Sequence, residues 1–429
     1  MAIRLITIDP GHFHAALVQK QTYPEVMPEA LVFSPDGPEL DRHLELIGSF
    51  NARATSPTAW KEIVCRGDDY LDKFVAAVRG GASACQSVVV LAGKNDRKGD
   101  YALAAVESGC HVLADKPLGI TTAVFAQAEK AARLARSKGL CFADIMTERN
   151  EITQILQRAL AADRDLYGEQ QEGSADDPAV VETSMHHFFK LVNGMPLRRP
   201  GWYYDTRVQG EGIADVTAHL VDLVQWKAFP DAKLVKEDAS VLSARVWPTV
   251  ISPEQFRLST GETTPNPIDC LANGEFTWRL RNVVCKVSVA WDFQAAPGVG
   301  DTHDSRMRGT KAEIFIRQDK KEGSRPLLHV RSRGNAAETG AALERALKKI
   351  SADFGFVGLS MVETDELGTW RIVFPAALDV GHEEHFGLVV QTFLAWLKAG
   401  AQDPLYVDNM LVKYHTIVEA MRRAHGIPG

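Results

Sequence analysis

The N-terminal third of the chain alternates short apolar runs with helix-like stretches, and this alternation restricts the possible folds more than any other feature. The run Ser87–Ala92, with the sequence SVVVLA, has the clearest character of a buried strand, and Ile3–Ile8 and His111–Ala114 resemble it. Helical patterns lie between such runs: His14–Lys20 follows the first run, and the longest helical pattern is Thr122–Lys138. Strands that alternate with helices form a parallel sheet covered on both faces. We therefore predict an α/β domain over residues 1–148.

The pattern changes in the rest of the chain, where alternating strands follow one another with few helices between them. Leu271–Arg281 and Val283–Phe293 are two such strands, with a tight hairpin at Arg281-Asn282. Strands in series predict an α+β domain over residues 149–429, with a large, mostly antiparallel, open-faced sheet. The final helices are expected in this domain or packed back on the first one. Residues 332–380 resemble an insert of unassigned role.

Charge, apolar runs and cysteine spacing exclude several classes of protein. The chain has 48 basic and 55 acidic residues, and a net charge of -7 disfavours nucleic acid as a partner. No apolar run approaches the ~18 residues of a membrane span, and no signal peptide is evident at the N-terminus. The six cysteines contain no C-x-x-C pair, which is typical of a reducing compartment. These observations predict a cytoplasmic protein without a membrane partner.

A turn with the sequence DPGHFH follows the first predicted strand. Dinucleotide-binding folds place G-x-G-x-x-G here, because glycines let the backbone approach the pyrophosphate. Only the central Gly11 is present, and Asp9 and His14 stand at the outer two positions. On the motif alone, an ordinary strand–turn–helix of another α/β protein is the stronger alternative. The position after the first strand favours cofactor binding by Gly11, His12 and Phe13.

The end of the second predicted strand bears on the choice of cofactor. An acidic residue about 20 positions after the glycine turn binds the ribose of NAD, and a nearby arginine accommodates NADP. Ser34 stands nearest this position, Asp36 follows two residues later, and the next basic residue is Arg42. Asp36 can equally be a turn residue. The sequence favours NAD and leaves NADP open.

Two further segments carry groups suited to proton transfer. Lys116 follows the strand His111–Ala114, and the carboxyl end of a parallel strand is where such sheets bind ligands. A solvated loop lysine is an equally good interpretation. In the predicted helix Gly210–Trp226, Asp215 and His219 are four residues apart, so a carboxylate can orient the imidazole of a general base. The alternative is a surface helix with a chance Asp–His pair. The glycines just before the pair suggest a backbone that lies close to a ligand.

These segments together resemble a known family. Residues 87–119 resemble the strand, helix and E-K-P segment of the glucose–fructose oxidoreductase / inositol dehydrogenase / MocA family of NAD(P)-dependent oxidoreductases. Residues 210–222 resemble its G-G-x-x-x-D-x-x-x-H-x-x-D helix, and Arg308–Ile314 resembles its G-T-x-G strand. The order of the motifs along the chain is more specific than any one of them.

The resemblance implies a Rossmann-type N-terminal domain and a role for each matching residue. Lys116 corresponds to the lysine beside the nicotinamide and the substrate hydroxyl, His219 to the general base, and Asp215 to the acid that orients them. It also implies a cis Lys116-Pro117 peptide. The predicted cofactor-binding residues are Gly11, His12, Phe13, Ser34, Asp36, Ala92, Gly93, Asn95, Asp115 and Lys116. The predicted substrate-binding residues are Lys116, His187, Trp202, Asp215 and His219. Strand alternation places His186 and His187 on opposite faces, so only one of them can face the cleft. Trp202 fits sugar stacking and core packing equally well.

The chain departs from the family pattern at several of these positions. Asp115 replaces the family's glutamate, and the outer glycines of the turn are missing. Lys94 and Lys98 stand where the family usually has proline and histidine. The two lysines either favour an anionic ligand or, as is more common for lysines in loops, are solvated. These departures describe an atypical member with a degenerate glycine loop.

The sequence therefore predicts an oxidoreductase that transfers a hydride between NAD or NADP and a carbinol carbon of a sugar, sugar derivative or polyol. Redox-assisted cleavage of a glycosidic bond and a non-catalytic nucleotide-binding sensor are the alternatives. The resemblance implies a homodimer or homotetramer through the C-terminal sheet. The segment His382–His385, HEEH, has histidines three residues apart instead of four, so no metal site is predicted.

Overall fold

The computed structural model describes residues 2–80, 85–192, 195–296, 299–318 and 325–427. The chain forms two compact units, and both are assembled from separate segments. The first unit comprises Met1–Thr147, Asp205–Gly210 and His382–Val418. The second unit comprises Glu148–Tyr204, Glu211–Gly381 and Glu419–Gly429.

The described elements are numbered in chain order. The strands are β1 (Ile3–Ile8), β2 (Glu29–Ser34), β3 (Lys61–Arg66), β4 (Gln86–Leu91), β5 (His111–Ala114), β6 (Phe142–Asp144), β7 (Val180–Phe189), β8 (Leu191–Val192), β9 (Met195–Pro196), β10 (Ala239–Ile251), β11 (Ile268–Leu280), β12 (Val283–Gln294), β13 (Thr302–Arg308), β14 (Ala312–Arg317), β15 (Leu327–Ser332), β16 (Ser360–Glu363) and β17 (Thr369–Val373). The α-helices are α1 (His14–Leu17), α2 (Pro38–Asn51), α3 (Tyr70–Gly80), α4 (Lys98–Glu107), α5 (Thr122–Ser137), α6 (Ile152–Ala161), α7 (Thr206–Gln209), α8 (Thr217–Ala228), α9 (Pro253–Thr260), α10 (Ala336–Phe354), α11 (His382–Ala399) and α12 (Tyr406–Ala424).

The first unit is built on a parallel six-stranded sheet with the order β3-β2-β1-β4-β5-β6. The strand order reverses between β1 and β4, and in such sheets ligands bind outside the carboxyl ends of the strands at this point. Apolar strand residues pack with α11, whose Phe386 and Phe393 belong to the same buried cluster as Leu5 and Val90. The C-terminal helix α11 thus completes the core of the N-terminal sheet.

Helix α1 is shorter than the sequence predicted. The expected helix extends to Lys20, but regular helix ends at Leu17. The carbonyl of Gln19 accepts a hydrogen bond from the Trp60 indole, and that of Lys20 accepts one from Arg53. Because side chains satisfy these carbonyls, the backbone gains less from continuing the helix. A helix of one turn has only a small dipole to offer a phosphate group.

The second unit is built on a nine-stranded sheet with the order β10-β11-β12-β7-β13-β14-β15-β17-β16. All pairs are antiparallel except β12 with β7. The predicted hairpin at Arg281-Asn282 is confirmed, because Leu280 pairs with Val283 and Arg281 has a positive φ of 53°. Most of the unassigned insert forms α10 and the strands β17 and β16, which follow β15 and widen the sheet at this end.

The predicted fold class is confirmed by the parallel sheet of the first unit and the mostly antiparallel sheet of the second. The cysteines all lie among the described residues, and none of them forms a disulfide. None of the helices in the described ranges combines the length and the apolar character that crossing a membrane requires.

Candidate functional site

The turn after β1 contains a residue in a left-handed conformation at the first of the two replaced glycine positions. Asp9 stands at the first glycine position with φ of 47°, a left-handed conformation that aspartate tolerates better than most residues. Its Oδ2 accepts a hydrogen bond of 3.0 Å from the Tyr101 hydroxyl, which also contacts the Tyr70 hydroxyl. Burial raises the pKa of Asp9, although Lys94 opposes this. The Asp9 side chain is therefore held by Tyr101.

The end of β4 lies directly against this turn. A Cβ atom added to Gly93 would lie 2.1 Å from the Asp9 carbonyl oxygen and 2.9 Å from the Gly11 nitrogen. The preceding Ala92 accepts a hydrogen bond of 3.1 Å from the His12 amide. Only glycine fits at position 93, so the two loops approach each other closely at the switch point of the sheet.

His14, which stands at the other replaced glycine position, is hydrogen-bonded to the loop after β5. Its Nδ1 lies 2.9 Å from Asp115 Oδ2, and its ring packs on Phe386 with centroids 4.6 Å apart. Burial lowers the pKa of His14, so a neutral imidazole donates its Nδ1 hydrogen to the carboxylate. Burial alone would raise the pKa of Asp115, but His14 and Lys98 reverse this and hold it below its usual range. Asp115 is thus a buried carboxylate with dedicated partners.

Lys98 is not a solvated loop residue, which corrects the more common expectation for such lysines. It begins α4, is only 1% exposed, and donates a hydrogen bond of 2.7 Å to the Asp115 carbonyl oxygen. The next residue, Lys116, is half-buried, and the Lys116-Pro117 peptide is cis, as predicted. Lys98 therefore anchors the backbone immediately before Lys116.

Histidines around Asp115 also form a cluster with the composition of a metal site. One possible ligand atom from each of His12, His14 and Asp115 lies within 4.8 Å of the others, and within the described ranges this is the one such group of three. However, the cluster has a single carboxylate, which already accepts the His14 hydrogen bond, and the Lys98 ammonium lies close enough to lower its pKa. A divalent cation would be repelled by that ammonium.

The ends of β2 and β3 bring together residues that the sequence separates. Arg66 ends β3, and its Nη1 lies 3.3 Å from both Asp36 Oδ1 and Asp41 Oδ1. Ser34 is buried and pairs in register with Arg66. The arginine was not predicted, because it lies 30 residues after Asp36 and only the sheet brings the two together.

Asn95 has a role within the fold of the first unit. Its side-chain amide donates to the Gln209 carbonyl at 2.7 Å, and its backbone amide donates to the Val208 carbonyl at 3.1 Å. These bonds hold the segment Asp205–Gly210 against the loop after β4. The predicted contact of Asn95 with a cofactor stays a prediction.

In the second unit, Asp215 precedes its helix instead of lying within it. Helix α8 begins at Thr217, and residues 212–216 form turns. The turn packs on β11: a Cβ atom on Gly212 would lie 1.7 Å from the Ala272 carbonyl oxygen. The glycine before the Asp–His pair therefore permits contact with the sheet, whereas the sequence suggested contact with a ligand. Asp215 and His219 are both buried.

Asp222, the second acidic position of the motif, is part of an ion pair. Its carboxylate accepts two hydrogen bonds from Arg149, at 2.6 and 2.8 Å. Such a two-point contact orients both groups and fixes α8 against the segment before α6. The partner was not predicted, since 73 residues separate the two.

The predicted substrate residue His187 shares a carboxylate with its neighbour. His187 Nδ1 lies 3.0 Å from Asp301 Oδ1, and His186 Nδ1 lies 2.9 Å from Asp301 Oδ2. Lys190 also binds Asp301. Burial would raise the pKa of Asp301, but its bonds to the two histidines lower it. Strand alternation predicted opposite faces for the histidines, yet Asp301 at the start of the neighbouring strand reaches both.

Aromatic residues near Asp215 form a second part of this region. Trp202 packs against an apolar cluster that includes Tyr203 and Trp291, and its buried indole nitrogen has no hydrogen-bond partner in the described part of the chain. Burial raises the pKa of Tyr203, and the Asp215 carboxylate raises it further. The Arg199 guanidinium lies 4.4 Å from the Tyr203 ring centroid. Trp202 therefore packs against the core, and its indole N–H makes no hydrogen bond to the described residues.

Comparison with known proteins identifies the family. A family model described as "Putative oxidoreductase C terminal domain" matches residues 156–425. A crystal structure described as a "putative oxidoreductase" from Parabacteroides merdae is 43% identical, covers 99% of this chain and 97% of its own, and has a TM-score of 0.94. No curated protein matches the chain.

More distant solved structures share the fold. Levoglucosan dehydrogenase in complex with NADH and levoglucosan is 14% identical, with 100% of this chain and 98% of that one covered and a TM-score of 0.63. A 3-ketoreductase from Actinomadura kijaniata in complex with NADP is 14% identical, with 98% and 97% covered and a TM-score of 0.57. The chain belongs to the oxidoreductase family that is defined by this C-terminal domain.

Proposed function

We propose that this protein is an NAD(P)-dependent oxidoreductase that transfers a hydride between the cofactor and a carbinol carbon of a sugar, sugar derivative or polyol. Family membership supports the reaction class. Levoglucosan dehydrogenase, which binds NADH and a sugar derivative, and the 3-ketoreductase, which binds NADP, support the cofactor and substrate classes.

The observation that carries the proposal is the close approach of the loops after β1 and β4. Gly93 leaves no space for a Cβ atom beside Asp9 and Gly11, a backbone arrangement suited to a pyrophosphate. The two side chains that replace glycines are bound by other residues, Asp9 by Tyr101 and His14 by Asp115. These contacts fit a nucleotide along Gly11, His12, Phe13, Ala92 and Gly93.

Lys116 and His219 are assigned the proton-transfer roles in this proposal. When bound, NAD(P) would supply the hydride acceptor or donor. The Lys116 ammonium would polarise the substrate hydroxyl oxygen, and the His219 imidazole would accept its proton. Asp215 would orient the imidazole or the substrate. Of the predicted substrate residues, Trp202 would donate from its indole nitrogen and His187 would be held by Asp301.

We propose NAD as the preferred cofactor. The Asp36 and Asp41 carboxylates bracket Arg66, so a 2′-phosphate would meet two negative charges before it reached the guanidinium. A homodimer or homotetramer through the nine-stranded sheet and a cytoplasmic location also stay predictions.

The test is turnover of a sugar and polyol panel, followed by nicotinamide absorbance, with Lys116→Ala and His219→Ala. Each substitution should reduce turnover by ~100-fold or more, while the Kd for NADH changes little. Lys348→Ala, an exposed lysine of α10, is the control and should match the parent. Full turnover in both test variants would disprove these assignments. Net accumulation of reduced cofactor would distinguish a dehydrogenase from an enzyme that cleaves glycosidic bonds and returns it.

A further inference from the structure

Three departures from the family pattern meet at one place in the first unit. His14 replaces a glycine of the turn, Lys98 replaces a histidine, and Asp115 replaces the glutamate before the family's lysine. They are 84 and 17 residues apart along the chain (98 − 14 and 115 − 98), so the sequence alone gives no reason to connect them. In the structure, His14 and Lys98 both bind Asp115.

The two contacts hold different parts of Asp115. The His14 imidazole, buried against Phe386, binds the side-chain carboxylate at 2.9 Å. The Lys98 ammonium, at the start of α4, binds the main-chain carbonyl at 2.7 Å. A residue fixed at both its side chain and its carbonyl cannot rotate, and the next residue along the chain is Lys116.

We propose that His14, Lys98 and Asp115 form one positioning cluster for Lys116, in which the three departures compensate one another. The inference rests on the proposed function for Lys116. His14 and Lys98 act through Asp115 and are positioning residues. Since a small displacement of a reacting group lowers rates steeply, the cluster should affect kcat more than cofactor binding.

The family's residues provide the test variants. His14→Gly, Lys98→His and Asp115→Glu are made singly and together, and the Lys116 amine is followed by NMR of ¹³C-methylated lysines. Each single substitution should lower kcat by about ten-fold, leave the Kd for NADH within about three-fold, and move the Lys116 signal. The triple variant should lose less than the product of the single losses, because the residues are coupled. Lys138→His, a lysine that also donates to backbone carbonyls, is the control and should change none of these.

Three outcomes would overturn the proposal: single variants with the parent's kcat, losses that multiply in the triple variant, or an unmoved Lys116 signal. Stoichiometric Zn²⁺ binding that His14→Gly abolishes would also overturn it, because the cluster would then be a metal site. The NMR measurement requires no substrate. A parent that turns over no sugar, but whose Lys116 signal moves as expected, would refute the proposed function and support the cluster.

Discussion

Two buried carboxylates, one in each unit, have nearly the same partners but stand in different surroundings. Asp115 contacts His14 and Lys98 in the first unit. Glu182 of β7 contacts Lys227 at 2.6 Å and His303 at 2.9 Å in the second unit. Asp115 lies at the carboxyl end of a parallel strand, next to a half-buried lysine. Lys227 and Glu182 are both 0% exposed.

The comparison shows that the residue types alone do not identify a functional site. Lys227 of α8 also binds Gln154, Gln157 and Ser305, so every donor of its ammonium can be satisfied inside the protein. Burial would raise the pKa of Glu182, but Lys227 and His303 lower it, and the glutamate stays ionised. The Glu182 network joins α6, α8, β7 and β13. The position at the carboxyl end of a parallel strand therefore distinguishes the proposed positioning cluster at Asp115 from the buried network at Glu182.

The largest effect on stability is expected at Lys227, and it tests this distinction in the second unit. Lys227→Met should lower the free energy of unfolding by about 3–5 kcal/mol, because Glu182 is left as a buried charge without its main partner. Chemical denaturation measures this, and kcat per folded molecule should equal that of the parent.

The double variant Lys227→Met/Glu182→Gln serves as the control for charge. It should be more stable than Lys227→Met, since removing both charges also removes the cost of burying one of them. If the two substitutions destabilised additively, the ion pair would not be the reason for the loss. If either variant had a lower kcat but the stability of the parent, Glu182 would have a positioning role like the one proposed for Asp115.

His43 is a buried histidine, and it shows what burial does when no carboxylate is hydrogen-bonded to the ring within the described residues. His43 of α2 is 3% exposed, and neither ring nitrogen has a hydrogen-bond partner within the described ranges. Burial lowers the pKa of His43 from 6.5 to about 4. Between these values the unfolded chain binds a proton that the folded chain does not, so stability falls as the pH falls. The loss should be roughly 3 kcal/mol, and it should be absent in His43→Leu.

Denaturation at a series of pH values from 4 to 7 measures this effect. Ile47→Val, one turn further along the same helix, is the control: it should lower stability equally at every pH. If the pH dependence persisted unchanged in His43→Leu, titratable groups other than His43 would be its cause.

The smallest effect on stability is expected at the exposed pair Asp36–Arg66. Asp36→Ala should change the free energy of unfolding by less than about 1 kcal/mol, because exposed ion pairs contribute little. The same substitution should shift the ratio of Kd values towards NADP by about ten-fold, since it removes a charge that repels the 2′-phosphate. Fluorescence titration with NADH and NADPH measures the two Kd values. Glu45→Ala, on the same helix as Asp41, is the control, and a preference that did not move would exclude Asp36 from cofactor choice.

Much of the fold could be predicted from local patterns. The β-branched run at β4 and the apolar run at β1 identify buried parallel strands almost to the residue. In contrast, β3 lies at the edge of its sheet and contains only exposed and half-buried residues, so its sequence pattern is weak and it was missed. Helix α2 was also missed, although Pro38 at its first position is a start signal.

The candidate site could be predicted only in part, for a different reason. Lys116, Asp215 and His219 could be predicted because they lie in motifs whose spacing is recognisable in the sequence. His14 and Asp115 are 101 residues apart, and His187 and Asp301 are 114 apart, so no local pattern connects either pair. Such contacts depend on which strands are neighbours, and strand order is a property of the whole sheet.

The assembly of the first unit from three segments has a consequence for biosynthesis. Asn95 binds the carbonyls of Val208 and Gln209, and the Phe386 ring packs on His14. The ribosome must therefore synthesise the chain past α11 before the first unit can complete its core around the turn after β1. Until then, Leu5, Val90 and their neighbours lack the apolar cover of α11, and the nascent chain would present this surface to chaperones.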